Sequence, residues 1–305
     1  MRLALIFPGQ GSQHVGMGAE MLDMYPVFRE VFDRAGDTLG YDLLDLCLHG
    51  EEAELTRTLV AQPAVLTCSV AILRSLPDSL PVSAVCGHSL GEYSALVAAS
   101  ALEFEDAVRL VAERGRIMEE QGEKGTMCAV LGLDETAMSS VLDRVDRPVC
   151  IANINSPKQI VISGTEEGIF EAVDVATAMG AKRCVMLNVS GPFHSPLMQA
   201  AADEFEDVLD AVEIRSPSLP VVSNVTGELF QSAAQIRNLL PKQISSPVLW
   251  DRCMRSLADL GAGFCAEVGP GSVLTSLLRR QEVRIAGLAV SGPEGVTKLI
   301  ESSGV

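Results

Sequence analysis

Apolar residues recur along this chain with two different periods, and the switches between them divide it into segments. Leu3 to Phe7 is a continuous apolar run stopped by Pro8-Gly9-Gln10-Gly11, the pattern of a buried strand feeding a glycine-rich turn. Ala84-Val85-Cys86 reads as a second strand. Apolar helical spacing near Gln62 to Leu76, Leu90 to Ala99 and Phe104 to Met118 surrounds it, so the first part predicts alternating α/β structure on a mostly parallel sheet.

From Thr126 to Leu187 the pattern changes. The expected order is strand (Met127 to Leu131), helix (Glu135 to Val145), strand (Val149 to Ile154), strand (Gln159 to Ser163), helix (Glu166 to Met179) and strand (Arg183 to Leu187). This β-α-β-β-α-β order is the ferredoxin-like split arrangement, which can stand as its own small unit. A helix from Pro196 to Val212, a strand near Pro220 to Ser223, two further helical stretches and a strand at Phe264 to Glu267 then return to the α/β style. The reading is a larger α/β domain made of residues 1–124 and 191–305, with a ferredoxin-like subdomain, 125–190, inserted in it.

Composition narrows the classes of function. In a chain of 305 residues, 48% hydrophobic and 21% charged, a sizeable core can be buried. The apolar run at the start is too short for a signal-peptide core or a membrane span, so the expectation is a cytoplasmic protein with no membrane association. Eight cysteines without a C-x-x-C pair predict reduced, mostly buried thiols and no metal. A net charge of −17 makes nucleic acid a poor partner. An acidic protein partner would need a local basic patch; Lys182 with Arg183, and Arg279, Arg280 and Arg284, are the candidates, with plain surface charge as the alternative.

Gly9 and Gly11 suggest a dinucleotide loop, but His14 stands where the third glycine is needed, and no Walker A sequence is present. More informative is Gly87-His88-Ser89-Leu90-Gly91, which lies between a strand and an alanine-rich helix as a nucleophile elbow requires. The glycines clear a sharp turn that presents the Ser89 hydroxyl at a helix N-terminus, where N–H groups and the helix dipole favour an oxyanion.

A serine nucleophile needs a base, and the histidines are His14, His49, His88 and His194. His88 should diverge from its neighbour on so tight a turn, His49 sits in an expected surface loop, and His14 belongs to the glycine-rich loop. His194, where a strand ends and a helix starts, is left by elimination. On the helix from Phe104 to Met118, Arg114 falls within the apolar arc between Val111 and Met118. An inward arginine costs several kcal/mol without a partner, so it should meet a carboxylate, either an internal Asp or Glu or one carried by a substrate.

Phe7-Pro8-Gly9-Gln10-Gly11-Ser12-Gln13, Gly87-His88-Ser89-Leu90-Gly91-Glu92, Arg114-Gly115, Asn155-Ser156-Pro157, Phe193-His194-Ser195-Pro196-Leu197-Met198, Ser223-Asn224-Val225-Thr226-Gly227, Gln243-Ile244-Ser245-Ser246-Pro247-Val248 and Glu267-Val268-Gly269-Pro270-Gly271 together resemble the malonyl-CoA:acyl carrier protein transacylases of type II fatty acid synthesis, from about residue 3 to about residue 280. The resemblance implies a hydrolase-like α/β domain with a ferredoxin-like insert. It also implies Ser89 as nucleophile, His194 as base, the N–H groups of Gln10 and Leu90 as oxyanion hole, and Arg114 as the ligand of the malonyl carboxylate. Gln62, Gln243 and Asn155 match polar pocket positions, with a backbone carbonyl near Gln243 orienting the histidine, and Phe193 would crowd the acyl α-carbon or serve as a core aromatic. The implied reaction is ping-pong: malonyl passes from coenzyme A to Ser89, then to the phosphopantetheine thiol of acyl carrier protein, with no cofactor.

The rival enzyme is an ordinary serine hydrolase, whose histidine comes late in the chain, whereas here no histidine follows His194. A carrier-binding scaffold, the non-enzymatic rival, has no need of Ser89, His194 and Arg114 together. A start at Met1 just before the first strand and an end soon after the last motif favour a stand-alone enzyme over a synthase domain.

Overall fold

The computed structural model describes residues 2–120 and 124–304, and in it the strands fall into two separate sheets. In chain order the strands among the described residues are β1 (Arg2–Phe7), β2 (Val82–Gly87), β3 (Thr126–Leu131), β4 (Val149–Ser156), β5 (Gln159–Gly164), β6 (Arg183–Met186), β7 (Val221–Val222), β8 (Ala262–Val268) and β9 (Ala286–Val290). The order β7-β2-β1-β8-β9 makes a wholly parallel sheet, and β4-β5-β3-β6 an antiparallel one.

β1 is the middle strand of the parallel sheet, so both its faces are covered, which is why its sequence is a continuous apolar run. Leu3, Leu5 and Phe7 pack with the helices Pro26–Leu39, Thr58–Arg74 and Phe104–Glu120, while Ala4 and Ile6 pack with Trp250–Asp259 and Val273–Leu278. Each large side chain buried in these layers contributes about 1.5–3 kcal/mol. That layering holds the C-terminal ends of β1 and β2 rigidly at one edge, where the glycine-rich turns project.

The antiparallel sheet has the ferredoxin-like order and divides its faces by alternation. Cys128, Val130, Ile160 and Ile162 pack under the helices Glu135–Leu142 and Glu166–Ala178. Met127, Ala129, Ala152 and Val161 join the core of the larger unit. Both helices begin where the sequence supplies a cap: Asp134 Oδ1 accepts from Ala137 N at 2.9 Å, and Thr165 Oγ1 from Gly168 N at 3.1 Å. A parallel bridge between Asn153 and Val248 ties the free edge of β4 to the chain before helix Trp250–Asp259.

Four sequence readings change in detail. The helix expected from Gln62 runs Thr58–Arg74, so Gln62 lies inside it and not at its start. The helix expected over 196–212 opens as a 3₁₀ turn, Pro196–Met198, before the α-helix Gln199–Asp210. The strand near 220–223 is only Val221–Val222. His49, expected in a loop, is the last residue of helix Leu43–His49. Among the described residues no helix is long and apolar enough to cross a membrane.

Candidate active site

The turn after β2 has its geometry forced by its neighbours. A Cβ on Gly87 would stand 1.9 Å from the Gly91 carbonyl carbon, and one on Gly91 would stand 2.1 Å from the Phe7 carbonyl oxygen. Only glycine fits at either place, which lets helix Gly91–Ala98 start directly over the end of β1. Between them Ser89 takes a left-handed backbone, φ 49°, which costs of order 1–3 kcal/mol for a non-glycine residue and needs support from its surroundings.

The sequence places Ser89 and His194 far apart; the fold brings Ser89 Oγ to 2.9 Å from His194 Nε2. His194 Nδ1 lies 2.7 Å from the backbone oxygen of Gln243, an acceptor, so Nδ1 carries the proton and Nε2 offers its lone pair to the serine hydroxyl. Gln243 lies near the C-terminus of helix Ala233–Ser245, where carbonyls are left without intrahelical partners. His194 is buried and also left-handed, φ 58°, and its own N–H donates to Ile244 O at 3.1 Å. Burial first, and the Arg114 charge second, push its imidazole down to about 3. It is therefore neutral and base-ready at ordinary pH.

Arg114 is 1% exposed, as its helical phase requires. Its Nη1 donates to Gln62 Oε1 at 2.8 Å, and Nη2 to Gln243 Oε1 at 3.0 Å and Ser89 Oγ at 3.3 Å. The guanidinium carbon stands 5.7 Å from the centroid of the Tyr93 ring. Among the described residues no carboxylate forms an ion pair with it, so the internal salt bridge weighed as an alternative is not found. Nε, too, is buried without an acceptor. A buried cation with neutral oxygens around it is a site prepared for an anion.

These side chains open into a cavity of about 300 Å³ lined by Gln10, Ser89, Arg114, Asn155, Phe193 and His194, with Met118, Met127, Ala129, Val161, Leu187 and Val189 as apolar wall. Gln10 Nε2 donates to Thr58 Oγ1 at 3.2 Å, fixing the loop beside the serine. Among the described residues neither the Gln10 N–H nor the Leu90 N–H has a hydrogen-bond partner. Phe193 is buried and faces the cavity. Gln62 and Gln243, expected at the pocket wall, stand behind Arg114 and hold it. His88 does diverge from Ser89, and its Nε2 meets Asn155 Oδ1 at 2.9 Å, so Asn155 reaches the cavity already paired. Sequence reasoning assigned nothing to Glu92 or to Asn224. Both are 0% exposed, and their place in quoted motifs was the only signal.

Of the candidate basic residues, Arg183 and Arg280 are linked to the cavity edge through Gln159. Arg183 of β6 pairs with Leu131, which pairs with Gln159 of β5, and Arg280 Nη1 donates to Gln159 Oε1. A second hollow beside the cavity shares Gln159, Val273 and Leu277 with it and includes Arg280.

A parallel α/β sheet with a serine elbow, an adjacent histidine and a ferredoxin-like insert defines a class of serine acyltransferase. The family model described as acyl transferase domain matches residues 4–289. The malonyl CoA-acyl carrier protein transacylase of Bacillus subtilis is 43% identical over 99% of this chain and 97% of that protein. The crystal structure of an acyl-carrier-protein S-malonyltransferase from Bartonella henselae, 38% identical, superposes with a TM-score of 0.96 over 100% of both chains. A type II PKS acyl-carrier protein in complex with its malonyl-transacylase gives a TM-score of 0.95 at 40% identity, covering 99% of this chain and 100% of that one. The chain belongs to the acyl transferase domain family and, within it, to the malonyl CoA-acyl carrier protein transacylases.

Proposed function

We propose that this protein transfers a malonyl group from malonyl-CoA to the phosphopantetheine thiol of acyl carrier protein through a malonyl ester on Ser89, supplying chain elongation in fatty acid or polyketide synthesis. The observation that carries the malonyl part is Arg114, a buried guanidinium 3.3 Å from the nucleophile that, among the described residues, bonds to no carboxylate. A malonyl group esterified to Ser89 carries its carboxylate a few bonds from that oxygen, within reach of the Nη2 proton that Ser89 Oγ takes in the resting enzyme.

The chemistry follows from the contacts. His194 Nε2 takes the Ser89 proton as Oγ bonds to the thioester carbonyl carbon, and the oxyanion so formed is met by the Gln10 and Leu90 N–H groups. The C–S bond breaks, and His194 returns its proton to the coenzyme A sulfur. In the second half His194 takes the proton of the carrier thiol as its sulfur bonds to the ester carbonyl carbon, the bond from that carbon to Ser89 Oγ breaks, and His194 returns the proton to Ser89 Oγ. The Gln243 carbonyl replaces the usual aspartate: it keeps Nδ1 protonated without adding a charge. No step calls on a metal or cofactor. Asn155 and Phe193 shape the entry, and the Arg183–Gln159–Arg280 side offers positive charge to an acidic carrier.

The catalytic unit is taken as residues 1–124 and 191–305 and the insert as 125–190, supported by sheet membership. All eight cysteines are free, which suits the reducing cytoplasm. Intact mass after mixing with malonyl-CoA tests the proposal: the adduct should sit on Ser89 and be absent from Ser89→Ala. A persistent adduct in that variant would refute it.

A further inference from the structure

Glu92 is a fully buried carboxyl that the acyl-transfer mechanism does not use. It lies three residues beyond the nucleophile, in the first turn of helix Gly91–Ala98, and among the described residues no arginine or lysine bonds to it. Its Oε2 accepts from Asn224 N at 2.9 Å and from Asn224 Nδ2. The same Nδ2 donates to Gly87 O at 2.9 Å. On the other side of the nucleophile, Ser89 O accepts from Glu92 N at 3.0 Å and from Gln243 Nε2 at 3.2 Å. Asn224 is anchored in turn, since its carbonyl accepts from Leu249 N at 2.7 Å.

The contacts close a ring from the elbow through Glu92 and Asn224 to Gly87 and back to the elbow. The Gly87 carbonyl belongs to the peptide unit before His88 and the Ser89 carbonyl to the unit after Ser89, so holding both brackets the His88–Ser89 pair and supports the left-handed Ser89 backbone. That conformation aims the hydroxyl at His194 and the Leu90 N–H at the oxyanion. A buried carboxyl costs more than it returns as packing, so its presence in the first turn under the serine needs a reason beyond the core.

We infer that Glu92 and Asn224 are positioning residues that brace the nucleophile elbow by holding the Gly87 carbonyl, setting the rate of Ser89 acylation and not the choice of acyl group. The inference rests on Ser89 as the acylated residue. Burial raises the Glu92 carboxyl to about 8, opposed by the Asn224 backbone bond, so near neutral pH it serves mainly as an uncharged acceptor. Its role is geometric, and a carboxamide can replace it.

The test is single-turnover acylation by malonyl-CoA and by acetyl-CoA, followed by rapid quench and intact mass. Asn224→Ala keeps the backbone N–H and C=O of residue 224, including the N–H bond to Glu92, and removes the Nδ2 donor shared by Gly87 O and Glu92 Oε2. It should slow acylation about 10- to 100-fold, the scale of a misaimed nucleophile. The factor should be the same for both acyl groups, with half-saturation concentrations unchanged. Glu92→Gln, which retains an oxygen for Asn224, should stay close to wild type, while Glu92→Leu should resemble Asn224→Ala. If Glu92→Leu does not fold, Asn224→Ala and Glu92→Gln decide on the same readouts. A merely structural role would lower the melting temperature and leave the rate constant of the folded enzyme intact. Wild-type acylation in folded Asn224→Ala, a changed malonyl-to-acetyl ratio, or a Glu92→Gln as slow as Glu92→Leu would each overturn the inference. Loss of the Ser89 adduct in wild type would instead strike the serine-ester reading itself.

Discussion

Replacing Arg114 by alanine should cut malonyl transfer severely while leaving acetyl transfer level or faster. The malonyl carboxylate would lose the guanidinium that meets Ser89 Oγ, and deleting one member of a buried, hydrogen-bonded charge pair costs about 3–5 kcal/mol. At about 1.36 kcal/mol per tenfold, kcat/KM for malonyl-CoA should fall by about 10²- to 10⁴-fold. Acetyl-CoA has no carboxylate to lose. It gains instead, because the Arg114 charge depresses the basicity of His194, and its removal makes the base stronger. Folding should survive: the variant strips donors from Gln62 and Gln243 but also removes a buried charge that, among the described residues, bonds to no carboxylate. Steady-state transfer of both acyl groups, with thermal melting as control, gives the answer. Unfolding, or an equal loss for both substrates, would make Arg114 a structural residue and remove the main physical support for malonyl.

His194→Ala should slow acyl-enzyme formation by about 10²- to 10⁴-fold in stopped-time mass measurements, and a near-normal rate at neutral pH would point to another base. Because the imidazole is pushed down to about 3, acylation should show no acidic limb near 6.5; a titration there in the pH–rate profile would contradict its burial. The same depression affects stability. Between about 3 and the unfolded value of about 6.5 the unfolded chain binds the extra proton, so stability is full above that window and falls as pH drops through it. Urea melts of His194→Ala should lose part of that acid sensitivity, and an unchanged slope would assign it elsewhere. Charge reversal at Lys182, Arg183, Arg279, Arg280 and Arg284 should raise KM for carrier protein and leave KM for malonyl-CoA unchanged, and a parallel rise in both would reject this face as the docking side.

Much of the fold was legible because its signals are local. A strand buried on both faces shows as Leu3 to Phe7, the insert shows as six elements in order, and the inward direction of Arg114 follows from one helix's own period. The elbow was equally readable from its residue pattern, although only Gly87 is demanded by contacts within a few residues and Gly91 by the end of β1 at Phe7 and Pro8. His194 required elimination, which works only where histidines are few.

What the tertiary structure decided are contacts between groups with no shared period. Gln62 was expected at the start of its helix, which instead begins at Thr58, and its partner Arg114 is 52 residues away. Gln243 binds that same arginine across 129 residues. Short β7 and edge strand β9 owe their pairing to neighbours already in place, β2 and β8, more than to a pattern of their own. Whether Arg114 met an internal carboxylate or none could not be read from the chain, because it depends on which side chains the sheet order brings to the end of β2. The Glu92–Asn224 brace, spanning 132 residues, is of the same kind: sequence shows residue types and local phase, and only packing sets which buried polar groups must satisfy one another.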